Sequence, residues 1–186
     1  VPAEDLFGAA AGHDAQVVAH STAFRPTPAD LSAAADAGRQ VLDRAGILAA
    51  ICAARPTVAV SGTHGKTSTT ALLATLLEGA GADPSYLVGA TPVGLGRAAH
   101  WGSGGWFVVE ADESDGTFER LGAEVAVATN VDEDHLDFWG DLDASEAGFD
   151  RFVGAARIAV VGIDDPHGRG PIEPRALRVA ERHGAI

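Results

Sequence analysis

The chain has 186 residues, of which 13 are Lys or Arg and 26 are Asp or Glu, a formal net charge of −13. That length can hold one full domain with a core, or one domain and part of another. The acidic excess excludes the clustered basic surface by which nucleic acids and anionic membranes are bound. A single cysteine, Cys52, excludes an internal disulfide framework and a multi-cysteine zinc site, and it points to a reducing, cytoplasmic setting. No apolar run approaches the ~20 residues that cross a bilayer, and nothing at the start resembles a signal peptide. The chain contains no methionine, and we read it as a piece of a longer protein.

In chain order, residues 1–14 carry no clear period, and Ala15–His20 reads as a short buried strand. Ser21–Arg25 is a loop. Thr27-Pro28-Ala29-Asp30 starts a helix, with Thr as N-cap, Pro at the first helical position and Asp at the third, and the helix stops near Gly38. Gln40–Leu42 is a brief strand, Asp43 caps a second helix reaching about Ala53, and Pro56 separates this half from the next strand.

The strongest signal follows. Val58-Ala59-Val60-Ser61 is a β-branched run that enters Gly62-Thr63-His64-Gly65-Lys66-Thr67-Ser68 and opens directly into the helix Lys66 to about Gly79. Strand, glycine turn, Lys-Thr and helix make a phosphate cradle. Glycines let backbone N–H groups turn toward an anion, and the helix start adds free donors and the positive end of its dipole. Lys66 supplies a full charge for the β- and γ-phosphates, and the Thr67 hydroxyl suits Mg²⁺. Val60 stands where the commonest form of this loop has its first glycine, but the strand and helix context is right and Lys66 is the only lysine in the chain.

Beyond that helix, Ser85–Val88 reads as a strand. Residues 89–105 contain six glycines and read as one long loop. Within it, Gly94-Leu95-Gly96-Arg97-Ala98-Ala99 imitates a dinucleotide fingerprint but neither follows a convincing strand nor opens a helix. Trp106–Val109, Glu124–Thr129 and Arg157–Gly162 are further strands, with helices near 144–155 and 173–183. Alternating strands and helices with continuous apolar strands predict an α/β fold, a P-loop-containing, doubly wound and mostly parallel sheet.

Such sheets bind ligands beyond the carboxyl ends of their strands. Three strand ends carry chemistry here: Ser61, Glu110 and Asn130. Glu110 begins Glu-Ala-Asp-Glu-Ser-Asp and is placed to ligate Mg²⁺. Asp112, Glu113 and Asp115 are less specific, and some are expected to face solvent. His135 lies among Asp132, Glu133, Asp134 and Asp137 and reads either as a salt-bridged loop histidine or as a ligand to a second metal ion or a contact to the transferred phosphate. The remaining histidines show no metal spacing.

Taken jointly, Gly62-Thr63-His64-Gly65-Lys66-Thr67, Glu110-Ala111-Asp112-Glu113-Ser114-Asp115 and Asn130-x₄-His135-Leu136-Asp137 resemble the Mur ligases. Ser21-Thr22-Ala23-Phe24 and Ile163-Asp164-Asp165-Pro166 add to the likeness, which covers about residues 15 to 166, with Gly168–Ile186 matching poorly. The resemblance implies an ATP-dependent ligase that joins the carboxylate of UDP-N-acetylmuramate to L-alanine through an acyl phosphate, in peptidoglycan precursor synthesis. It implies Lys66, Glu110, Asn130 and His135 as catalytic residues and Gly62–Ser68 as the ATP loop. Thr67, Glu110 and His135 become Mg²⁺ ligands, and Ser21, Thr22, Asp112 and Ser114 become substrate contacts. His64 and Ser114 favour the alanine-adding branch over the branch that recycles a tripeptide, which more typically carries Tyr at the Ser114 position. It also implies that residues 1–54 are the remnant of a Rossmann-like domain for the UDP-sugar and that residues 55–186 are an incomplete ATP-binding domain. A chain of this extent is expected to bind Mg-nucleotide weakly and not to turn over alone. A P-loop nucleotide-binding module without ligase activity is the reading from another class, but no switch-loop motif or catalytic glutamine accompanies the loop. Oligomeric state is not legible.

Overall fold

The computed structural model describes residues 16–20 and 27–162. They fall into two compact units divided between Ala50 and Ile51. In the first, strand β1 (Val17–His20) pairs in parallel with β2 (Gln40–Asp43), in register from Val17–Gln40 to His20–Asp43. The connecting helix α1 (Pro28–Asp36) starts as its sequence predicts. Asp30 N–H donates to Thr27 Oγ1 over 3.2 Å, and Thr27 N–H returns to Asp30 Oδ2 over 2.7 Å. This reciprocal box satisfies two donors that a helix start leaves free. At the start of α2 (Arg44–Cys52), Asp43 Oδ1 accepts from Gly46 N–H over 2.6 Å.

The second unit is built on a six-stranded sheet in the order β5-β4-β6-β3-β7-β8. The strands are β3 (Thr57–Ser61), β4 (Ser85–Leu87), β5 (Ala99–His100), β6 (Phe107–Glu110), β7 (Val125–Ala128) and β8 (Ile158–Val161). All neighbours are parallel except β4 and β5. The P-loop strand β3 lies between β6 and β7, and Ala59 and Val60 are fully buried within it. Helix α3 (Lys66–Gly79) packs on β3 and β6, and its Ala74 joins Tyr86, Val88 and Val108 in one apolar cluster. Helix α5 (Leu142–Ala155) packs on β7, β8 and the 3-10 turn Thr117–Arg120, where the Phe118 ring lies 5.0 Å from those of both Phe149 and Phe152. Among the described residues no helix is long and apolar enough to cross a membrane.

β1 alternates exposed and half-buried residues where a buried strand is expected, and two larger features depart from the sequence reading. The segment 89–105 is not one unbroken loop, because Ala99 and His100 return to pair with Leu87 and Tyr86. The cause is distant in sequence. One Nη of Arg55, with two N–H donors, lies within 2.7, 2.8 and 2.8 Å of the acceptors Ser85 Oγ, Gly102 O and Gly104 O, while its guanidinium lies 4.1 Å above the Trp101 ring. Gly104 has to be glycine there, since a Cβ would meet Ala82 O at 1.9 Å. The second is the short helix α4 (Leu136–Trp139), which the acidic run around His135 conceals. The expected strand–helix alternation is otherwise present; the expected helix at 173–183 lies outside the described residues.

Candidate active site

The strand order brings the three predicted strand ends side by side. Val60 is opposite Glu110 of β6, and Ser61 is opposite Ala128 of β7, two residues before Asn130. The loop between β3 and α3 is therefore flanked on one side by the acidic turn and on the other by the turn that leads to His135. Chemistry carried at these ends lies along one edge of the sheet.

The loop owes its course to two glycines and to its neighbours. Gly62 has φ +137°, and a Cβ on it would lie 2.0 Å from Thr129 Oγ1 and 3.0 Å from Asn130 O. Gly65, at φ +83°, hands the chain into α3. Asn130 holds both polar groups of His64: its Oδ1 accepts from His64 N–H over 2.8 Å, and its Nδ2 donates to His64 O over 2.9 Å. Thr129 Oγ1 donates to His64 O over 2.6 Å, and Thr63 Oγ1 accepts from Asp132 N–H over 2.9 Å. Asn130 thus acts on the loop backbone, and the His64 side chain and Ser68 are exposed.

The predicted metal-binding pair is in contact. Thr67 Oγ1 donates to Glu110 Oε1 over 2.9 Å, and Glu110 Oε2 accepts from Gly89 N–H over 2.6 Å. Two hard oxygens facing each other at a phosphate loop are a donor set that suits Mg²⁺, which keeps most of its coordination for phosphate and water. Among the described residues, no three His, Cys, Asp or Glu side chains assemble a metal site by themselves. Thr67 and Glu110 fit a cation that takes its remaining ligands from outside the chain.

Glu113 is the residue the sequence undervalued. It is 3% exposed, whereas Asp112 and Asp115 beside it are only half-buried. Its Oε1 lies 2.7 Å from Lys66 Nζ, and its Oε2 is 3.4 Å from Ser61 Oγ. Lys66 Nζ also donates to Gly62 O over 2.7 Å and to Thr63 O over 3.2 Å. His135 has φ +53°, and its Nε2 lies 3.7 Å from Glu113 Oε1 and 3.8 Å from Asp134 Oδ2. Trp139 Nε1 donates to Glu113 O over 3.1 Å, fixing the turn from behind. Asp112 Oδ1 accepts from Ser114 N–H, and Asp115 Oδ1 from Thr117 N–H, so those two carboxylates brace the turn. Ser114 is partly buried in it. Ser21 and Thr22 lie outside the described residues. No local signal separates Glu113 from its acidic neighbours; the information is in the turn's contact with Lys66 and Trp139.

Residues 60–180 match the model of the Mur ligase middle domain, so the match continues past the point near Pro166 where the motifs fade. The chain is 50% identical over 140 residues to the UDP-N-acetylmuramate–L-alanine ligase of Rhizobium etli, covering 75% of this chain and 30% of that protein. Across the curated relatives of this name, the chain spans roughly a third of their length, from 29% to 37%. In fold it is similar to the UDP-N-acetylmuramate-alanine ligase of Thermotoga maritima, with a TM-score of 0.71 at 24% identity over 83% of this chain and 37% of that one. It is also similar to MurF ligase from Thermotoga maritima in complex with ADP, with a TM-score of 0.61 at 19% identity over 90% of this chain and 46% of that one. A phosphate loop flanked by Glu110 and Asn130 on neighbouring strands, and a family match across most of that unit, place this chain among the Mur ligases, with residues 60–180 matching their middle domain.

Proposed function

We propose that this chain supplies the ATP-binding part of a cytoplasmic ligase that joins the carboxylate of UDP-N-acetylmuramate to L-alanine, in peptidoglycan precursor synthesis. The observation that carries the reading is the contact between Thr67 and Glu110 beside Lys66, across neighbouring strand ends. The relatives that match at 44–50% identity bear the alanine ligase name, and ADP is bound by the structurally similar ligase described above.

In this reading the substrate carboxylate attacks the γ-phosphorus of ATP, ADP leaves, and an acyl phosphate results. The amine of alanine then attacks the acyl carbon and loses a proton. Phosphate departs with one of the original carboxylate oxygens, and the amide remains. The loop amides from Gly62 to Thr67 and the start of α3 bind the phosphates. Lys66 turns its ammonium to the transferring phosphoryl group, where opposing charge lowers the barrier most. Thr67 and Glu110 orient an ATP-linked Mg²⁺, which when bound offsets the charge of two anionic reactants. His135, beyond the acidic turn, is placed for a second ion or for the transferred phosphate, and Asn130 keeps the loop in register. Asp112 and Ser114 are proposed as contacts of the UDP-sugar, and so, by the sequence resemblance alone, are Ser21 and Thr22.

The test is phosphate release that requires both ATP and UDP-N-acetylmuramate. It is made on a protein that carries this chain together with the remaining length of its relatives, offering L-alanine, glycine or a tripeptide. L-alanine is expected to be the preferred amine. Lys66→Ala and Glu110→Ala should each lower the rate by about 10²-fold or more. Preference for the tripeptide would support the recycling reaction instead, and near-normal rates in either variant would overturn the site.

A further inference from the structure

The three protons of the Lys66 ammonium are all engaged within the protein. Two go to Gly62 O and Thr63 O of its own loop, and the third goes to Glu113. A lysine has three donors and no more, so Lys66 as it stands offers nothing to a phosphate. To reach one it has to release a partner, and the partners are unequal. The two carbonyls are neutral acceptors, whereas Glu113 is a carboxylate with 3% exposure. Without Lys66 its partners among the described residues are the Ser61 hydroxyl at 3.4 Å and the His135 ring at 3.7 Å, which is charged only when protonated. A buried carboxylate stripped of its counter-ion is strongly disfavoured. An incoming polyphosphate would worsen the imbalance, because it adds negative charge beside that carboxylate.

We propose that Glu113 makes nucleotide binding at this loop conditional on a divalent cation. Glu113 holds Lys66 back from phosphate until a cation arriving with the nucleotide replaces the charge that Lys66 withdraws. Glu113 is then a positioning residue that acts through Lys66, and its effect is a positive coupling between cation and nucleotide. The inference rests on the nucleotide-binding reading above and goes beyond it in assigning Glu113. It also explains why the turn that carries Glu113 is fixed so firmly by Trp139: a loosely held carboxylate could follow the lysine outward.

The test is a binding titration of the 186-residue chain with ADP, in excess Mg²⁺ and in excess EDTA, for wild type and Glu113→Gln. Glutamine keeps the shape and removes the charge. Glu113→Gln should bind ADP in EDTA about tenfold more tightly than wild type, with the Mg²⁺ value changing far less, so that the coupling shrinks by a factor typical of linked ligands. Equal weakening of both affinities, or an unchanged ratio between them, would overturn the proposal. Loss of ADP binding in wild type under both conditions would instead overturn the nucleotide reading beneath it. A second measurement needs no variant. Lys66 is the only lysine in the chain, so protein labelled at lysine Cε gives a single side-chain NMR signal. Mg-ADP should shift that signal at concentrations where ADP with EDTA leaves it in place, and a shift of the same size with ADP and EDTA would refute the latch.

Discussion

Thr67 Oγ1 and Glu110 Oε1 lie 2.9 Å apart although 43 residues separate them in sequence. The contact exists because β3 and β6 are parallel neighbours, so the second residue of α3 meets the residue that closes β6. Neither oxygen is locked in a core: Glu110 is otherwise held by Gly89 N–H alone among its described bonds. The pair is thus a ready-made place for a cation that brings its own phosphates. Thr67→Val keeps the branched shape and removes the hydroxyl. It should weaken Mg-ADP binding by about tenfold, the loss of one hydrogen bond to a charged group, and leave ADP binding in EDTA nearly unchanged. Calorimetric titration under the two conditions checks it; equal loss in both would mean that Thr67 serves the loop and not the cation.

Gly62 is fixed by space as well as by conformation. A methyl group there would sit 2.0 Å from Thr129 Oγ1, and even with that hydroxyl rotated away Asn130 O remains at 3.0 Å. The φ of +137° adds strain for any L side chain. Gly62→Ala should destabilise the unit by about 2–4 kcal/mol, the sum of overpacking and backbone strain. Urea denaturation followed by tryptophan fluorescence measures this, and a loss under 1 kcal/mol would show that the β7 side of the loop yields easily. Gly65, with no atom near its missing Cβ, should tolerate alanine better for packing and suffer only from its φ of +83°.

These two sites also show what a single sequence can reveal. The loop at Gly62–Thr67, Glu110 and Asn130 were legible because each stands at the end of an apolar strand, and strand ends in parallel sheets converge on one edge. That argument uses only local pattern and a general rule of topology. Glu113 was not legible, because what distinguishes it from Asp112 and Asp115 is a contact with Lys66 made 47 residues away. The pairing of β5 was hidden for the same reason: Arg55 reaches 47 and 49 residues along the chain to pull Gly102 and Gly104 inward. Helix α4 is only four residues long, Leu136–Trp139, too short to show an amphipathic period. Long-range polar contacts leave no periodic trace, whereas burial of strands and helices does.

Trp139 is predicted to matter through its N–H more than through its bulk. Its Nε1 donates to Glu113 O over 3.1 Å, while its ring meets Phe118 edge-on at 6.0 Å between centroids. Trp139→Phe keeps most of the ring packing and removes the donor, leaving Glu113 O to Gly116 N–H at 3.2 Å. Global stability should fall by about 1 kcal/mol, one neutral hydrogen bond. The more specific consequence concerns the acidic turn: amide hydrogen exchange at Glu113–Thr117 should quicken relative to that of β6. Unchanged protection there would show that the turn is held by its own Asp112 and Asp115 bonds and not by the indole.

Cys52 supplies a prediction about pH that is independent of the site. Its side chain is 2% exposed, and burial pushes the thiol pKa from its ordinary value of 9.0 up to about 11, with a hydrogen bond from Thr57 opposing the shift. The unfolded chain therefore loses this proton near pH 9 while the folded chain keeps it to about pH 11. Between those values the native state binds more protons than the unfolded state, so stability contributed by the neutral thiol declines as pH rises. Below pH 9 both states hold the proton and the residue adds no pH dependence. Denaturation midpoints of wild type should fall between pH 9 and 11 more steeply than those of Cys52→Ala, with parallel curves from pH 7 to 8.5. The same burial makes the thiol a poor nucleophile, since the thiolate is the reactive form. A thiol-reactive disulfide at pH 8 should label Cys52 in the folded chain much more slowly than in urea. Rapid labelling of the folded chain, with wild type and Cys52→Ala falling together at high pH, would mean that Cys52 is reached by solvent at the end of α2.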